Sequence, residues 1–231
     1  MKAVIMAGGE GIRLRPFTYL IPKPLLPLGN ETVIEHTIRL SRSYGFDEIF
    51  ITTNYRAKDF ERCLNLNSKY KITVHLVKER KKLGTVGALK LASEFLTEPF
   101  LLVNGDIIFD TNLSLMVDFH IKNKADITLG VTKHSVEIPY GVVDWKSNRE
   151  LRSLTEKPTS HNYVNSGIYM MNPSIVRLIP RNNHMDFPAL LEKVKQNSGK
   201  IFVYDIGSRW LDVGRFADYE NAIEAIQKWE A

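Results

Sequence analysis

The sequence predicts a single α/β domain built on a mixed, mostly parallel sheet flanked by helices. The first observation is an alternation of segment types: short apolar runs at residues 2–6, 48–52 and 72–77 are separated by helix-like segments at residues 32–44 and 58–66. The second observation is a glycine-rich turn directly after the first run. Ligands of such folds collect at the carboxyl ends of the strands, so this turn is the first candidate site.

The composition is typical of an ordinary globular protein. The 231 residues are 44% hydrophobic, which is enough for one substantial core, and the single cysteine, Cys63, has no internal disulfide partner. The first residues lack a signal-peptide core, and no stretch approaches the roughly 18 apolar residues that span a bilayer. We therefore expect a cytoplasmic protein with no membrane partner.

The net charge of +5 makes nucleic acid an alternative partner to consider. The densest basic run, Lys78 and residues 80–82, lies between a strand-like segment and a glycine turn, where solvated loop residues are common. Phosphorylated small molecules suit the charge equally well. Nucleic acid is therefore not expected as a partner. A zinc site is not expected either, because the six histidines show no H-E-x-x-H spacing.

The segment after the first strand carries the most chemical information. Gly8, Gly9 and Gly11 let backbone N–H groups turn toward an anion, and Arg13 and Lys23 follow closely. Each charge-assisted hydrogen bond to a phosphate contributes roughly 1.5–3 kcal/mol. The segment therefore predicts a nucleoside triphosphate site.

Two better-known phosphate loops do not fit this segment. A dinucleotide fingerprint that starts at Gly9 needs a third glycine where Leu14 stands, and Pro16 blocks the helix that should begin there. The Walker spacing G-x-x-x-x-G-K-S/T is absent from this part of the sequence. The glycines alone are also compatible with a plain turn, but the ordered run of basic residues and prolines that follows favours a binding segment.

Two stretches, Ala7–Thr18 and Pro22–Pro24, resemble the A-G-G-x-G-x-R-L-x-P-x-T and P-K-P signature of the sugar-phosphate nucleotidylyltransferases, or nucleotide-sugar pyrophosphorylases. The resemblance implies the Rossmann-like fold of nucleotide-diphospho-sugar transferases over residues 1–231. It implies a mainly nucleotide-binding half at residues 1–112 and a mainly sugar-phosphate-binding half at residues 113–231. Because hexapeptide repeats are absent, no C-terminal β-helix is expected.

A second motif, L-G-T-x-G, begins at Leu83 and is expected to open a helix that runs to about Phe95, with Thr85 as its N-cap. The resemblance implies that this motif faces the base and sugar of the nucleotide. Uridylyl- and thymidylyltransferases often carry a glutamine just ahead of it, where residues 80–82 are basic here. The pattern is closest to short mannose-1-phosphate guanylyltransferase-like members. It favours GTP and leaves UTP, dTTP and CTP open.

Two aspartates are candidates for a metal site. Asp106 follows the buried strand at residues 100–104, and a carboxylate at such a strand end can hold Mg²⁺ with few protein ligands. An aspartate closing an ordinary turn is the alternative. The run Trp210–Arg215 resembles the W-x-D-x-G element, which implies that Asp212 is the second ligand. Mn²⁺ can substitute for Mg²⁺, and Asp110 is expected to be a loop residue.

The later motifs Y-G-V-V, E-K-P and N-S-G resemble the sugar-binding elements of the family. Each motif alone is compatible with a plain turn or bulge. Their order along the chain is what favours the resemblance. The resemblance implies that the sugar-phosphate contacts are Gly141, Glu156, Lys157, Asn165 and Gly167.

The combined prediction is an enzyme that transfers a nucleotidyl group from an NTP to a sugar 1-phosphate, with Mg²⁺ as cofactor. Two alternatives remain, a non-catalytic regulatory paralogue and a glycosyltransferase of related topology, and a homo-oligomer is compatible with the sequence. The residues assigned to catalysis are Arg13, Lys23, Asp106 and Lys157. Those assigned to the nucleotide are Ala7, Gly8, Gly9, Gly11, Arg13, Lys23, Gly84, Thr85 and Asn104.

Overall fold

The computed structural model describes residues 1–230, and strands and helices alternate along most of this length. The strands are β1 (Lys2–Met6), β2 (Pro27–Leu28), β3 (Glu31–Thr32), β4 (Glu48–Thr53), β5 (Thr73–Lys78), β6 (Phe100–Asn104), β7 (Ile107–Phe109), β8 (Ile127–Glu137), β9 (Val142–Trp145), β10 (Leu151–Thr155), β11 (Thr159–Met171), β12 (Ile201–Asp205) and β13 (Trp210–Asp212).

A seven-stranded sheet has the strand order β12-β8-β11-β6-β1-β4-β5. The strands β6, β1, β4 and β5 pair in parallel, as do β12 and β8, whereas β11 is antiparallel to both of its neighbours. Six of the seven strands therefore run in one direction. This confirms the predicted mixed, mostly parallel sheet.

The carboxyl ends of four neighbouring parallel strands meet at one edge of this sheet. There β1 leads into Ala7, β4 into Asn54, β5 into Glu79 and β6 into Gly105. The backbone N–H of Gly105 donates to the carbonyl of Met6 at 2.9 Å, so the β1 and β6 ends are tied together just beyond the ladder. Such an edge is where ligands of open α/β sheets bind.

Helices cover both faces of the sheet, and within residues 1–230 none of them has the length and apolar character needed to cross a bilayer. Short 3₁₀ segments also occur at residues 12–14, 23–25, 57–65 and 88–92. The α-helices are α1 (Phe17–Leu20), α2 (Val33–Ser43), α3 (Leu66–Tyr70), α4 (Gly84–Gly87), α5 (Leu113–Lys122), α6 (Pro173–Val176), α7 (Phe187–Gln196) and α8 (Phe216–Glu230).

Alternation along the strands divides the core between the two faces. Successive strand residues point to opposite sides, so Ile5 belongs to the same buried cluster as Ile34 of α2, while its neighbour Val4 belongs to a second cluster with Leu190 of α7. All four side chains are fully buried. Each such side chain stabilises the fold by about 1.5–3 kcal/mol. The sheet is thus held firmly from both faces, and its carboxyl edge is a fixed platform.

Two helix predictions were wrong in type and length. Residues 57–65 form a 3₁₀ helix, with buried side chains at Phe60 and Cys63, and the α-helix α3 follows it. A buried spacing of three residues matches the 3₁₀ period. A helix was also expected to run from the L-G-T-x-G motif to about Phe95. Only Gly84–Gly87 is α-helical, and a 3₁₀ segment follows over residues 88–92. The short α-helix begins and ends at a glycine, which is a poor helix former.

Helix α2 begins at the predicted N-cap, Thr32. Beside it, Glu31 forms an ion cluster that we expect to stabilise the fold. The Thr32 side chain accepts from the Glu35 N–H at 3.3 Å. Next to it, Arg39 donates to Glu31 at 2.8 and 2.9 Å, and Nδ1 of His36 lies 3.0 Å from the same carboxylate. Burial disfavours the ionised Glu31, but these partners outweigh it and lower its pKa from 4.5 to about 2.

We expect Glu31→Gln to lower the free energy of unfolding at pH 7 by about 1–2 kcal/mol, because it removes a carboxylate paired on a largely enclosed surface. The folded state holds Glu31 ionised to lower pH than the unfolded state does. Its stabilisation is therefore complete above pH 4.5 and is lost as the pH falls toward 2. Urea unfolding at pH 7 and pH 3 checks this. The control is Glu61→Gln, which breaks the exposed pair with Lys78; equal stability of the two variants at pH 7 would contradict the account.

Candidate active site

A cavity of about 650 Å³ opens at the carboxyl edge of β1, β4, β5 and β6. The glycine-rich loop after β1 forms one wall, and the start of α4 together with the segment before α7 forms another. The sequence-predicted residues that line this cavity are Ala7, Gly8, Gly9, Gly11, Arg13, Lys23, Gly84, Thr85, Asn104 and Asp106.

The glycine-rich loop is held in place from within its own segment. Gly11 has φ of 61°, a left-handed conformation that glycine adopts without strain, and its carbonyl accepts from the Thr18 hydroxyl at 2.9 Å. A 3₁₀ turn follows directly and carries Arg13. The loop thus presents its backbone and an exposed guanidinium to the same cavity.

Lys23 and two aspartates form the charged centre of the site. Nζ of Lys23 lies 2.7 Å from Oδ2 of Asp106 and 3.4 Å from Oδ1 of Asp212. The lysine side chain is 7% exposed, whereas those of Asp106 and Asp212 are 36% and 42% exposed. A buried ammonium therefore holds two carboxylates, each of which keeps an open side toward solvent.

Pairing between two short strands explains why aspartates so distant in sequence meet. In the antiparallel pair of β7 and β13, Asp212 lies opposite Ile107, the residue after Asp106. The Val213 N–H also donates to the Asp106 carbonyl at 2.9 Å. Strand β7 was not predicted, and its pairing with β13 brings the second aspartate to the first.

The two carboxylates fit a divalent cation of the Mg²⁺ type. Mg²⁺ prefers hard oxygen ligands and keeps several waters or phosphate oxygens, so two aspartates with open sides suffice. Across residues 1–230, His, Cys, Asp and Glu side chains form no cluster of three or more that could hold a metal. Burial raises the pKa of Asp212; Lys23 opposes this rise, and the carboxylate of Asp106 adds to it.

Thr85 is not the N-cap of its own helix, which corrects the sequence-based expectation. It lies inside α4, and its hydroxyl accepts from the Phe187 N–H at 2.8 Å, at the first residue of α7. In return the Thr85 N–H donates to the Asp186 carboxylate at 3.1 Å. The L-G-T-x-G segment and the start of α7 therefore fix one another, and Asp186 and His184 join the cavity wall.

Ion pairs cross the rim of the cavity. Glu10 of the glycine-rich loop pairs with Lys82 and also lies 3.4 Å from Nη2 of Arg15. The hydrogen bond and charge of Lys82 lower the pKa of Glu10. Lys82 comes from the basic run that was expected to be a solvated loop, and the structure places it beside the glycine-rich loop at the cavity.

The E-K-P element lies apart from the cavity lining. Glu156 and Lys157 follow β10, in a hairpin with β9 whose residues are exposed, and Lys157 has a φ of 43°. A Cβ added at Gly141 would lie 3.0 Å from Oε2 of Glu156, so the Y-G-V-V and E-K-P elements are neighbours. The structure therefore groups these three residues with one another rather than with the phosphate loop.

The N-S-G element lies between the hairpin and the cavity. Gly167 interrupts the pairing of β11 with β8 and has φ of 76°. A Cβ there would lie 2.5 Å from Nδ2 of Asn104, a cavity residue. Asn165 accepts from the Gly167 N–H at 3.0 Å and donates to the Tyr169 hydroxyl at 2.9 Å. Gly167 thus packs directly behind the cavity wall without lining it.

The lining residues that were missed from the sequence include Asn54, Glu79, His184 and Asp186. Asn54 and Glu79 directly follow β4 and β5, so the rule that ligands collect at strand carboxyl ends was a usable signal for both. His184 and Asp186 had no local signal, because only the contact of α7 with α4 brings them to the cavity.

Comparison with known proteins points to a single family of nucleotidyl transferases. Residues 2–228 match the family model for nucleotidyl transferases. The chain is 35% identical to the mannose-1-phosphate guanyltransferase of Yarrowia lipolytica over 95% of its own length and 62% of that protein. It is 32% identical to the mannose-1-phosphate guanylyltransferase catalytic subunit beta of Drosophila melanogaster, over 94% of this chain and 60% of the relative. The chain thus spans less than two thirds of these relatives.

Solved structures show the same fold. HddC from Yersinia pseudotuberculosis superposes with a TM-score of 0.76 at 23% identity, covering 97% of this chain and 99% of that one. A structure of HddC complexed with GMP-PN gives a TM-score of 0.75 at 22% identity. The match over residues 2–228, the shared fold and the signature that lines the cavity confirm the family resemblance: the chain belongs to the nucleotidyl transferase family.

Proposed function

We propose that this protein transfers a nucleotidyl group from an NTP, with GTP favoured, to a sugar 1-phosphate and releases pyrophosphate. The observation that carries the proposal is the Lys23 ammonium held between Asp106 and Asp212 in a cavity walled by the glycine-rich loop. In this proposal the two carboxylates would hold Mg²⁺, and the cation together with the Lys23 ammonium would offset the charge of the triphosphate. The guanyltransferase names of the relatives support the choice of GTP and of a sugar phosphate such as mannose 1-phosphate.

The chemistry requires alignment more than proton transfer. An oxygen of the sugar phosphate attacks the α-phosphorus, the bond from that phosphorus to the β-phosphate oxygen breaks, and pyrophosphate leaves. The attacking oxygen is already anionic at neutral pH, so no general base is needed. Catalysis then rests on holding the two phosphates in line and on stabilising the charge that develops between them.

The residues of the cavity divide this work. The loop backbone and Arg13 bind the triphosphate, and Lys23 neutralises charge at the reacting phosphate. Asp106 and Asp212 would hold Mg²⁺, or Mn²⁺ in its place, which supplies further positive charge to the phosphate oxygens when bound. Gly84, Thr85 and Asn104 contact the nucleoside.

The acceptor half of the proposal concerns residues 113–231, with the nucleotide held mainly by residues 1–112. In this proposal Lys157 binds the phosphate of the sugar as a compact point charge, and Glu156 accepts from sugar hydroxyls. The sugar ring would lie against the backbone of its three remaining contacts, Gly141, Asn165 and Gly167.

A substrate matrix tests the proposal. GTP, UTP, dTTP, CTP and ATP are each combined with mannose, glucose and glucosamine 1-phosphates in the presence of Mg²⁺, and pyrophosphate release is followed. We expect release that requires both an NTP and a sugar 1-phosphate, greatest with GTP. Binding of a nucleotide sugar without pyrophosphate release from any pair would instead support a regulatory subunit, and glycosyl transfer without pyrophosphate exchange would support a glycosyltransferase.

A further inference from the structure

Glu79 is a cavity residue to which the proposed mechanism gives no role. It directly follows β5, and its backbone is fixed on both sides: its N–H donates to the Thr53 carbonyl at 2.8 Å, and its carbonyl accepts from Nδ2 of Asn54 at 3.3 Å. The side chain is therefore held against the wall formed by the ends of β4 and β5. That wall adjoins the L-G-T-x-G segment, because the Leu83 N–H donates to Oε2 of Glu79 at 3.1 Å.

The second carboxylate oxygen faces the glycine-rich loop. A Cβ added at Gly8 would lie only 2.7 Å from Oε1 of Glu79, so the absence of a side chain at Gly8 leaves room for this oxygen. Gly8, Glu79, Leu83 and Gly84 all line the cavity. The carboxylate thus lies between the glycine-rich loop and the L-G-T-x-G segment at the cavity wall, with Oε2 bonded to the Leu83 N–H and Oε1 against Gly8.

No cation neutralises this carboxylate. Within residues 1–230, Glu79 forms no ion pair with a lysine, arginine or histidine, although a basic run follows it immediately. Burial raises its pKa, and the hydrogen bond from the Leu83 N–H opposes that rise. A half-buried carboxylate with a single backbone donor keeps unused acceptor sites, to which a ligand in the cavity can donate.

Only one common base offers two adjacent donors to such an acceptor. An ionised carboxylate accepts hydrogen bonds and donates none. Guanine presents its N1–H beside its exocyclic N2 amine, whereas adenine and cytosine each place one amine beside a ring acceptor. Uracil and thymine place one N–H between two carbonyl acceptors. Parallel hydrogen bonds from N1 and N2 of guanine are therefore the pattern that complements a carboxylate, and the other bases bring an acceptor against it.

We infer that Glu79 reads the Watson–Crick edge of guanine and sets the preference of this cavity for GTP. The inference rests on the proposed function, because that function assigns the nucleotide to this cavity. The preference for GTP would then depend on a specific residue, Glu79, and not only on the absence of a glutamine at residues 80–82. The N–H of Leu83 then orients the carboxylate through Oε2, and the missing side chain at Gly8 makes room for Oε1.

Equilibrium binding by calorimetry tests the inference without turnover, using GTP, ITP and UTP with Mg²⁺ and no sugar phosphate. Inosine keeps N1–H but lacks the N2 amine, so it removes one of the two expected hydrogen bonds. We expect the wild-type protein to bind ITP about 10- to 100-fold more weakly than GTP, since one hydrogen bond to a charged group is lost. A wild-type protein that binds ITP as tightly as GTP would overturn the inference.

The variant Glu79→Gln keeps an oxygen for the Leu83 N–H, so the fold is retained, and circular dichroism checks this. Its amide carries one acceptor and one donor, which suit uracil better than guanine. We expect the GTP-to-ITP ratio to fall to about 3-fold or less and UTP to gain relative to GTP. An unchanged GTP-to-ITP ratio in this variant would also refute the role of Glu79.

Glu10→Gln is the matched control, since it removes the same charge from the same cavity but at the loop that pairs with Lys82. It should move the affinities of all three nucleotides together and leave their ratios unchanged. The two proposals fail separately. Selective GTP binding without pyrophosphate release contradicts the proposed function and supports base reading by Glu79. Pyrophosphate release with equal use of GTP and ITP supports the proposed function and contradicts base reading by Glu79.

Discussion

Asp106→Asn should reduce Mg²⁺-dependent pyrophosphate release by about 10²- to 10⁴-fold in kcat, equivalent to roughly 3–5 kcal/mol of lost transition-state stabilisation. The substitution removes one of the two carboxylates that converge on Lys23, so the proposed cation site loses a ligand and Lys23 loses the charge of its 2.7 Å partner. Initial rates measured over a range of Mg²⁺ concentrations check this result. Near-normal release by the variant would show that Asp106 is not part of the metal site.

Asp110→Asn is the matched control for that experiment. Asp110 lies on the same short stretch of chain, but its carboxylate pairs with Arg209 at 2.5 Å and does not line the cavity. The control should keep wild-type rates and the wild-type Mg²⁺ dependence. Nucleotide binding measured in the absence of sugar phosphate separates a loss of chemistry from a loss of folding, since the loop and Arg13 are intact in both variants.

Lys157→Ala should lower kcat/KM for the sugar 1-phosphate by about 10- to 100-fold, because a charge-assisted hydrogen bond to phosphate is lost. The effect should be selective. The affinity for GTP should stay the same, since Lys157 lies on the exposed hairpin outside the cavity proposed to bind the nucleotide. Steady-state kinetics with each substrate varied in turn distinguish the two effects.

Lys146→Ala provides the comparison for this hairpin. Lys146 is an exposed lysine of the same hairpin, between β9 and β10, and pairs with Glu150 at 2.9 Å. Its loss should leave the kinetics of both substrates unchanged. If Lys157→Ala behaved like this control, the assignment of the E-K-P element to the sugar phosphate would be wrong, and the acceptor site would have to lie closer to Asn104 and Gly167.

The sequence placed much of the cavity lining correctly because the residues concerned are local. The glycine-rich loop follows β1 without interruption, and its signature spans one short segment that ends at Lys23. Asp106 was found in the same way, from its place after a buried strand. In each case one stretch of chain contains both the residue and the element that positions it, so alternation and turn chemistry are sufficient evidence.

Features that depend on contacts between distant segments were not predictable in this way. The exchange of hydrogen bonds between Thr85 and the start of α7 joins residues about a hundred positions apart, and it turned an expected N-cap into a partner of another helix. The pairing of β7 with β13 similarly determines how Asp212 reaches Asp106. Helix type depended on packing too, since the spacing of Phe60 and Cys63 fits a 3₁₀ turn as well as an α-helix.

The most direct test of the account follows the α-phosphate itself. GTP labelled with ³²P at the α position, and separately at the γ position, is incubated with mannose 1-phosphate and Mg²⁺, and the products are separated by chromatography. If the protein transfers a nucleotidyl group, the α label appears in a GDP-sugar and the γ label in pyrophosphate, in equal amounts. Release of the γ label as inorganic phosphate, with the α label retained in GDP, would contradict nucleotidyl transfer.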